Sequence, residues 1–465
     1  MTGELRRVID GGYCIGCGAC AAMEHEKIEL PRSSSGMFTP LLHASDRELD
    51  DAERVCPFAS SGKDEDVLGQ ELFANAPHWS PYLGHYREIL AGYVAEGDYR
   101  NAGSSGGMGT WLLTEALREG FVDHVICVRS LEGEGDSSLF GYVISEDVED
   151  TKAGSKSRYY PIEMSQIIAK VRDTPGRYAF VGIPCFLKAL RNICAIDPVV
   201  RERVIFFVGL FCGHLKTGDF AASLAWQLGI PPKELAGVDF RQKLSDRSAD
   251  SYGFSAIDTS GREVAAPMAQ LFGREWGLGL FKPHACEFCD DVVGEVADVS
   301  VGDAWLPRFV GDPKGTNILI VRSEIAARLI ANARNRGRLD MHPLSAEDAY
   351  RSQEGGFNHR RGGLSFRMWL KDTEGKWRPK KRVKPGKRHL TAVRRKIYQL
   401  RSHLSSLSHL AFSEAERKND FGVFRQRMRG PITAYHRLLR IEYYQNRVKY
   451  MIEVRLLKLK QIFSR

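Results

Sequence analysis

Three cysteines are spaced three residues apart near the start of the chain. Cys14, Cys17 and Cys20 lie in the Gly-rich stretch GGYCIGCGAC, and the next cysteine, Cys56, directly precedes a proline. A short loop with a thiolate at every third position can supply three ligands to one cubane cluster, whose fourth ligand comes from elsewhere and is typically followed by Pro. The spacing therefore favours a [4Fe–4S] cluster. Zinc, which usually takes paired C-x2-C sequences, and free thiols are the alternatives.

A second C-x2-C pair, Cys286 and Cys289, needs two further ligands to complete a site. The stretches RYAFVGIPC and RVIFFVGLFCG each predict a buried strand that ends near a cysteine, Cys185 or Cys212, and the residues between them predict a helix. This order predicts parallel strands, which places both cysteines at the carboxyl edge of one sheet, where α/β proteins bind ligands. We therefore predict a second [4Fe–4S] cluster on these four thiols. The alternative is a pair of catalytic or structural thiols beside a zinc-binding C-x2-C pair.

The cellular compartment bears on how the ten cysteines are used. The chain opens MTGELRRVIDGG without a signal-peptide pattern, and no apolar run reaches the roughly 18 residues that a membrane-spanning helix needs. We therefore expect a cytoplasmic protein, in which disulfides are rare and metal binding or redox chemistry is the better explanation for cysteines. Cys127, in the strand-like HVICV, and Cys194, on the inner face of a predicted helix, are expected to be core thiols.

A Gly/Ser-rich turn precedes the helical pattern MGTWLLTEALREG. Such a turn presents backbone N–H groups and a positive helix end, which suits a phosphate group. The candidate contacts are Ser104, Ser105, Gly106 and Gly107. A flexible helix cap is the alternative.

Four other residues, later in the sequence, could add charge and an aromatic ring to this candidate site. Lys156 and Arg158 could neutralise phosphates, and Tyr159 lies beside them; a basic surface turn is the alternative. Asp303, in ADVSVGDAW after a predicted strand, is either a ligand contact or the residue that ends the strand.

These stretches, in this order, resemble the beta-subunit family of coenzyme F-420 hydrogenases and dehydrogenases, which includes plant 7-hydroxymethyl chlorophyll a reductase. The resemblance extends from about residue 10 to about residue 330 and rests on the N-terminal cysteines, GSSGG, SRYYP, VGIPC, GLFCG, CEFC and ADVSVGDAW. It implies a bound FAD at the Gly/Ser turn, one or two [4Fe–4S] clusters on the two cysteine sets, and electron transfer between a low-potential carrier and a substrate. Arg158 stands where the family often has Lys, and Phe186 where it often has Gln, so use of coenzyme F-420 stays open.

The charges of the chain are unevenly distributed. Residues 371–465 contain 26 Lys and Arg against 7 Asp and Glu, whereas the preceding residues are net acidic. This shift predicts a boundary near residue 370. We predict an α/β protein with a ferredoxin-like iron–sulfur module (1–75) and a two-part body with a mainly parallel sheet. The body comprises a flavin-binding part (80–150) and a part with the second cluster (151–345), and a helical basic extension (371–465) follows.

Two amphipathic helices are predicted in this extension after a basic, Pro- and Gly-containing linker, KWRPKKRVKPGKRH. Their apolar stripes need a partner, for which three options are open. The helices could dock on the protein's own acidic body or form a dimer, lie on an anionic membrane surface at the inner face of the membrane, or bind nucleic acid. Nucleic acid is not expected, because no recognised nucleic-acid-binding fold is evident.

The sequence thus predicts an FAD- and [4Fe–4S]-dependent oxidoreductase. Ferredoxin, another low-potential carrier or reduced coenzyme F-420 would supply electrons to a substrate, with a partner subunit or a second copy of the chain as a further expected partner. Two alternatives are an electron-relay subunit that has clusters but no flavin, and a zinc-stabilised scaffold whose basic tail recruits a membrane or a partner.

Overall fold

The computed structural model describes residues 3–131 and 138–463, with side chains described as far as residue 451. The N-terminal unit contains α1 (Glu4–Asp10), α2 (Ala19–Met23), β1 (Ile28–Glu29), β2 (Leu41–Leu42), α3 (Asp50–Val55) and α4 (Glu65–Phe73). β1 and β2 pair antiparallel. Apolar residues of this unit, such as Leu5 and Val8, pack in the same buried cluster as Phe186 and Leu190 of the body. The unit therefore shares a core with the body, and its ferredoxin-like character stays a prediction.

The body begins with a short hairpin and continues into alternating strands and helices. Its first half contains β3 (His78–Ser80), β4 (Gly84–Tyr86), β5 (Glu88–Val94), α5 (Tyr99–Ala102), α6 (Met108–Arg118), β6 (His124–Ser130), β7 (Phe140–Ser145), α7 (Val148–Ala153), α8 (Ser165–Asp173), β8 (Tyr178–Gly182), α9 (Pro184–Ile196), α10 (Pro198–Arg203) and β9 (Val204–Leu210). The second half contains α11 (Gly218–Trp226), β10 (Leu235–Gln242), β11 (Gly253–Asp258), β12 (Glu263–Pro267), β13 (Val299–Asp303), α12 (Pro307–Val310), β14 (Asn317–Val321), α13 (Glu324–Asn335), β15 (Leu339–Pro343), α14 (Ala346–Ser352) and α15 (Glu354–Asn358).

An eight-stranded sheet organises the body, in the order β15-β5-β14-β13-β9-β8-β6-β7. Its centre, β13-β9-β8-β6, is parallel, and antiparallel strands flank it on both sides. Across the whole sheet β5, β6, β8, β9 and β13 run in one direction, and β7, β14 and β15 run in the other. The predicted mainly parallel α/β sheet is present in the parallel centre, where β8, α9 and β9 form the expected crossover.

A separate antiparallel sheet, β10-β11-β12, is inserted between β9 and β13. Because β9 and β13 are neighbours in the large sheet, this insertion begins and ends near the carboxyl end of β9. It brings polar residues of β10 to that edge.

The C-terminal extension is helical, as predicted. A π-helical turn (His359–Gly363) leads into α16 (Leu364–Thr373), and α17 (Ala392–Lys418) and α18 (Phe421–Phe463) follow as a helical hairpin. The hairpin turns at Asn419, whose φ of +49° is the left-handed conformation that ends many helices. α17 buries Ile397, Leu404 and Phe412 in a cluster that includes Phe281 of the body. Of the expected destinations, α17 therefore takes the protein's own body.

Residues 441–451 of α18, called here the α18 tip, are exposed except for the buried Glu442. Their exposed apolar and aromatic side chains are Ile441, Tyr443, Tyr444, Val448, Tyr450 and Met451. Within the described part of the chain, no helix combines the length and apolar character that crossing a bilayer requires.

Candidate metal centres and the adjoining cleft

The four N-terminal cysteines of the prediction surround one cavity. Cys14, Cys17, Cys20 and Cys56 all line this cavity. Cys20 lies in the short helix α2, and Cys56 follows the last residue of α3. Gly16 lies between Cys14 and Cys17, with a φ of +71°, and a Cβ at this position would lie 2.7 Å from the Phe38 carbonyl oxygen. This position accepts glycine alone, for its conformation and for space.

Burial governs the protonation of these thiols. It raises the pKa of Cys14 to about 12 and raises the pKa values of Cys17 and Cys20 above their usual range. The Gly16 N–H points at Cys14 Sγ, with a nitrogen–sulfur distance of 3.4 Å. Backbone N–H groups that point at sulfur favour a thiolate, whereas burial opposes it. Charged thiolates at this site thus require a compensating positive group, which a metal centre supplies.

The second predicted set also surrounds a cavity. Cys185, Cys212, Cys286 and Cys289 all line it. Cys185 is the second residue of α9, and Cys212 lies just beyond β9, so the carboxyl edge of the parallel sheet positions both. Cys286 accepts a hydrogen bond from the Leu215 N–H at 3.4 Å. The structure thus brings together four cysteines that are up to about 100 residues apart in sequence.

One buried cation, Arg360, contacts this second set. Its guanidinium lies in the π-helical turn, donates to Cys289 Sγ and lies 3.5 Å from Cys212 Sγ. Its remaining hydrogen bonds go to the carbonyl oxygens of Asp291 and Gly213, and only 1% of the residue is exposed. Burial opposes the charge, but the thiols outweigh burial and raise the pKa of Arg360. A buried cation needs a negative partner, and here the sulfur atoms are that partner.

The two cavities share part of their lining. Ile15 and Phe58 line both of them, so one layer of apolar side chains separates the two cysteine sets. All ten cysteines are free thiols, which excludes the disulfide explanation in this structure. Cys127 and Cys194 lie apart from both cavities, in buried positions.

No three His, Cys, Asp or Glu side chains of residues 3–131 and 138–463 form a group that could hold a single metal ion. The sulfur atoms instead surround spaces with apolar walls. A polynuclear cluster fits such spaces, because its own sulfides and irons occupy the volume between the ligands. Sulfur donors, an N–H group aimed at sulfur in each set and a buried cation beside one set all suit an anionic cluster.

The predicted phosphate turn lies at the N-terminus of α6. Ser104 Oγ accepts a hydrogen bond from the Ser157 N–H at 2.9 Å, and Ser105 Oγ donates to the Thr316 carbonyl at 3.1 Å. Gly107 precedes the helix with a φ of +85°, and Gly106 packs so closely on the strands that a Cβ would lie 2.8 Å from the Gly92 carbonyl oxygen. The turn is therefore fixed in place by its own hydrogen bonds and packing.

Two further predicted residues, Asp303 and Lys156, lie beside this turn. Arg241 links Asp303 to the turn, because it donates to Asp303 at 2.8 Å and to the Ser104 carbonyl at 3.2 Å. Lys156 lies on the same side, with Nζ 3.0 Å from Asp239 of β10. The structure thus brings Ser104, Lys156 and Asp303 to one cleft at the carboxyl edge of the sheet.

Arg158 and Tyr159 contribute to a neighbouring apolar wall. The Arg158 guanidinium lies 5.0 Å from the centroid of the Phe140 ring. The Tyr159 ring lies 4.8 Å from that of Trp276 and 5.4 Å from that of Phe240. Among the described residues, neither side chain forms a hydrogen bond with the Gly/Ser turn, so the predicted cofactor contacts divide into two groups.

Sequence reasoning missed several charged residues of these sites. Arg241 lies in β10 of the inserted sheet, and Lys243 directly follows that strand. Lys243 donates to the Ser105 carbonyl at 2.8 Å. Burial, followed by the nearby Arg100, lowers the pKa of Lys243 to about 8. The only signal was the alternation of cations at the end of DFRQKL. Arg360 had no signal, because it is one of many basic residues near the C-terminus.

An exposed apolar residue completes the cleft. Leu210, the last residue of β9, is 36% exposed, and its side chain lies near Gly109 of α6. The cleft therefore combines the apolar side chain of Leu210, a turn at a helix N-terminus and the cations Arg241 and Lys243. These are the features that a flavin with its phosphates needs.

Comparisons with known proteins address the same segments. The model of the N-terminal part of coenzyme F420 hydrogenase/dehydrogenase beta subunits matches residues 89–169, and that of the C-terminal part matches residues 176–347. The second cysteine set and the cleft lie within these matches. The N-terminal cysteines, Arg360 and the extension lie outside them.

Curated proteins with similar sequences include several that are named after coenzyme F420. The coenzyme F420-dependent sulfite reductase of Methanocaldococcus jannaschii is 22% identical over 69% of this chain, which covers 46% of that protein. The coenzyme F420 hydrogenase subunit beta of Methanothermobacter thermautotrophicus is 21% identical over 56% of this chain and 86% of its own length. Among solved structures, the F420-reducing [NiFe] hydrogenase complex of Methanosarcina barkeri contains a chain with 19% identity and a TM-score of 0.46, covering 61% of this chain and 92% of that one.

Proposed function

The chain belongs to the coenzyme F420 hydrogenase/dehydrogenase beta-subunit family, a family of oxidoreductase subunits, and we propose that it transfers electrons through two [4Fe–4S] clusters to a bound FAD. One observation carries the proposal: eight cysteines form two sets of four, and each set lines its own cavity. Cys14, Cys17, Cys20 and Cys56 would hold one cluster, and Cys185, Cys212, Cys286 and Cys289 the other.

The two kinds of cofactor have complementary chemistry, since clusters exchange single electrons and a flavin can pass electrons on singly or in pairs. The protein's part is to hold them close together and dry. Ile15 and Phe58 form the wall between the two cavities and exclude water from it. Short separations and apolar surroundings favour transfer within the molecule over leakage of electrons to solvent.

Residues of the cleft would bind and orient the flavin. Lys243 and Arg241 place positive charge beside the Ser104–Ser105 carbonyls, where a pyrophosphate would need it. Asp303 fixes the Arg241 guanidinium through an ion pair at 2.8 Å, so the cation is held in one orientation. Leu210 offers an apolar surface to a flat ring. FAD in this cleft is part of the proposal.

The electron donor and acceptor are proposed from the relatives. The names of those relatives refer to coenzyme F420, so coenzyme F420 is the first candidate carrier and ferredoxin the second. The chain spans less than half of the sulfite reductase, and the hydrogenase relatives are subunits of larger enzymes. We therefore propose that a partner subunit supplies the site at which the final substrate reacts.

Anaerobic purification followed by iron, acid-labile sulfide and flavin determination tests the proposal. We expect about eight iron atoms per chain, four for each cluster, and about one FAD. Cys56→Ser and Cys289→Ser should each reduce iron to about four. Cys194→Ser is the matched control, because this buried thiol lines neither cavity, and it should retain all the iron.

Each alternative has its own result. Zinc in place of iron and sulfide would overturn the proposal in favour of a zinc-stabilised scaffold. About eight iron atoms without flavin would overturn the flavin part and leave an electron-relay subunit. Reduction of the purified protein by reduced coenzyme F420, by reduced ferredoxin or by both identifies the carrier.

A further inference from the structure

The segment 376–389, called here the strap, was predicted to be a basic linker, and in the structure it packs against the body. It connects α16 to α17 and contains six Lys or Arg residues from position 380 to position 388. The Lys381 and Arg382 side chains are only 4% and 7% exposed, whereas the neighbouring Lys380 is exposed. The strap therefore places two cations inside the protein.

Lys381 lies beside the wall that separates the two cysteine sets. Its Nζ is 4.5 Å from the centroid of the Phe58 ring and 3.5 Å from the Pro57 carbonyl oxygen. Phe58 lines both cavities, and Pro57 directly follows the cluster ligand Cys56. The ammonium group thus contacts the shared wall from outside both cavities.

Lys381 lies close to the residue that directly follows one cysteine of each set. Its Nζ is 3.5 Å from the carbonyl oxygen of Pro57, which follows Cys56, and 3.8 Å from the carboxylate of Asp290, which follows Cys289. Arg360, in contrast, contacts only thiols of the second set. Lys381 is therefore placed to influence both sites.

The nearest acidic group, Asp290, is shared between the two cations of the strap. Its carboxylate forms a buried ion pair with Lys381 Nζ at 3.8 Å. The same carboxylate accepts from the backbone N–H of Arg382 at 3.3 Å and lies 3.4 Å from its Nε. Glu295, a second buried acid, accepts two bonds from Arg382 at 2.9 Å. Removal of the Lys381 charge would therefore leave Asp290 with Arg382 as a partner and make the surroundings of both cysteine sets more negative.

A buried cation affects a redox centre because reduction adds negative charge to that centre. In surroundings of low dielectric constant such an interaction is strong. Cluster potentials depend on net charge, hydrogen bonds to sulfur and solvent exposure. A fixed cation beside the wall that separates two clusters therefore favours the reduced form of each.

We propose that Lys381 raises the reduction potentials of both clusters, so that the strap of the C-terminal extension sets the energy at which electrons enter the chain. The inference rests on the proposed function, since it requires both clusters to be present. The strap lies outside the segments that the family models match. The cysteine ligands and the charge that tunes them thus come from different parts of the chain.

Redox titration of the anaerobically prepared holoprotein, followed by electron paramagnetic resonance, tests this assignment. In Lys381→Met we expect both potentials to fall by about 59 mV, which is about a tenfold lower ratio of reduced to oxidised cluster at a given solution potential. Lys381→Arg keeps the charge and should restore both potentials. Lys380→Met is the matched control, since it removes the same charge from an exposed neighbour, and it should leave both unchanged.

Iron content separates the two proposals. Unchanged potentials in a Lys381→Met protein that retains about eight iron atoms would overturn the role of Lys381 and leave the proposed function intact. A wild-type protein without iron would overturn the proposed function itself. Should Lys381→Met lose iron, Lys381→Gln is titrated instead under the same criteria, because its amide can still donate to the Pro57 carbonyl.

Discussion

Arg382 is the buried cation that fastens the strap, and its replacement by methionine should release that segment. Its two Nη atoms each lie 2.9 Å from an oxygen of Glu295, and Nη1 lies 2.6 Å from Asp66. Nε lies 3.4 Å from Asp290. Glu295 and Asp290 have side chains that are 4% and 1% exposed, whereas Asp66 is 64% exposed. The buried partners therefore decide the effect.

The magnitude follows from these exposures. Removing one partner of a buried ion pair costs about 3–5 kcal/mol, because the remaining charge stays buried without compensation. The contact with exposed Asp66 adds about 0–1 kcal/mol at most. Lys381 and Lys188 stay near the carboxylates in the variant, so we expect the lower end, about 3 kcal/mol. A loss of about 3 kcal/mol raises the equilibrium constant for local opening of the strap about a hundredfold.

Native-state hydrogen exchange of the strap amides is the appropriate assay. A chain of 465 residues with several cores does not satisfy two-state unfolding, so a global melting temperature would not isolate this segment. At pH 7 the strap amides of Arg382→Met should exchange about a hundredfold faster than those of the wild type. Arg388→Met, at an exposed strap position, is the control and should exchange as the wild type does.

The effect should also depend on pH. Although burial opposes ionisation, Lys381 and Arg382 hold the pKa of Asp290 below its usual range. This carboxylate thus stabilises the wild type above its unfolded pKa of about 4, and the contribution is lost as pH falls. The difference between variant and wild type should therefore persist down to a pH of about 4 and shrink as the pH falls below that value. Equal exchange in Arg382→Met and Arg388→Met at pH 7 would refute the reasoning.

Three further predictions concern other parts of the molecule. FAD affinity should fall as pH rises through about 8, because Lys243 loses its charge there, and Lys243→Met should flatten the dependence in a fluorescence titration. Gly302→Ala should destabilise the surroundings of β13 by about 1–3 kcal/mol, since its Cβ would collide with the Phe211 ring, and native-state exchange of the β13 amides should become faster. Gly311→Ala, where the Cβ has open space, should leave that exchange unchanged. The α18 tip should bind anionic but not neutral vesicles in a co-sedimentation assay. Replacement of its tyrosines by serine should abolish that binding. Equal binding to both vesicle types would contradict a role for the basic residues.

Local patterns were enough to predict the parallel centre of the sheet and the grouping of the cysteines. Buried-strand patterns and a helix between them define the crossover from β8 to β9, and this crossover dictates that Cys185 and Cys212 meet at one edge. Hydrophobic periodicity likewise predicted the two helices of the extension. These features depend on residues that are close in sequence or on a general rule of connection.

The packing of the strap could not be predicted in this way. A basic stretch with Pro and Gly has the composition of a solvated linker, and nothing local indicates that Lys381 and Arg382 are buried while Lys380 is exposed. Their partners are Glu65 and Asp66 near the N-terminus and Asp290 and Glu295 in the body. Only the folded chain brings acidic groups so far apart in sequence to one place.

This long-range charge network has a consequence for how the cysteine sites assemble. Arg382 joins α4 of the N-terminal unit to the segment that follows Cys289, and Lys381 contacts Phe58 of the wall that separates the two cysteine sets. The strap can take this position only when both units are folded, because its carboxylate partners come from each of them. Its docking would therefore stabilise the wall of Ile15 and Phe58 only in a chain whose cysteine loops are already in place. In protein prepared without clusters, the strap amides should then exchange with solvent faster, although the strap itself provides no ligand.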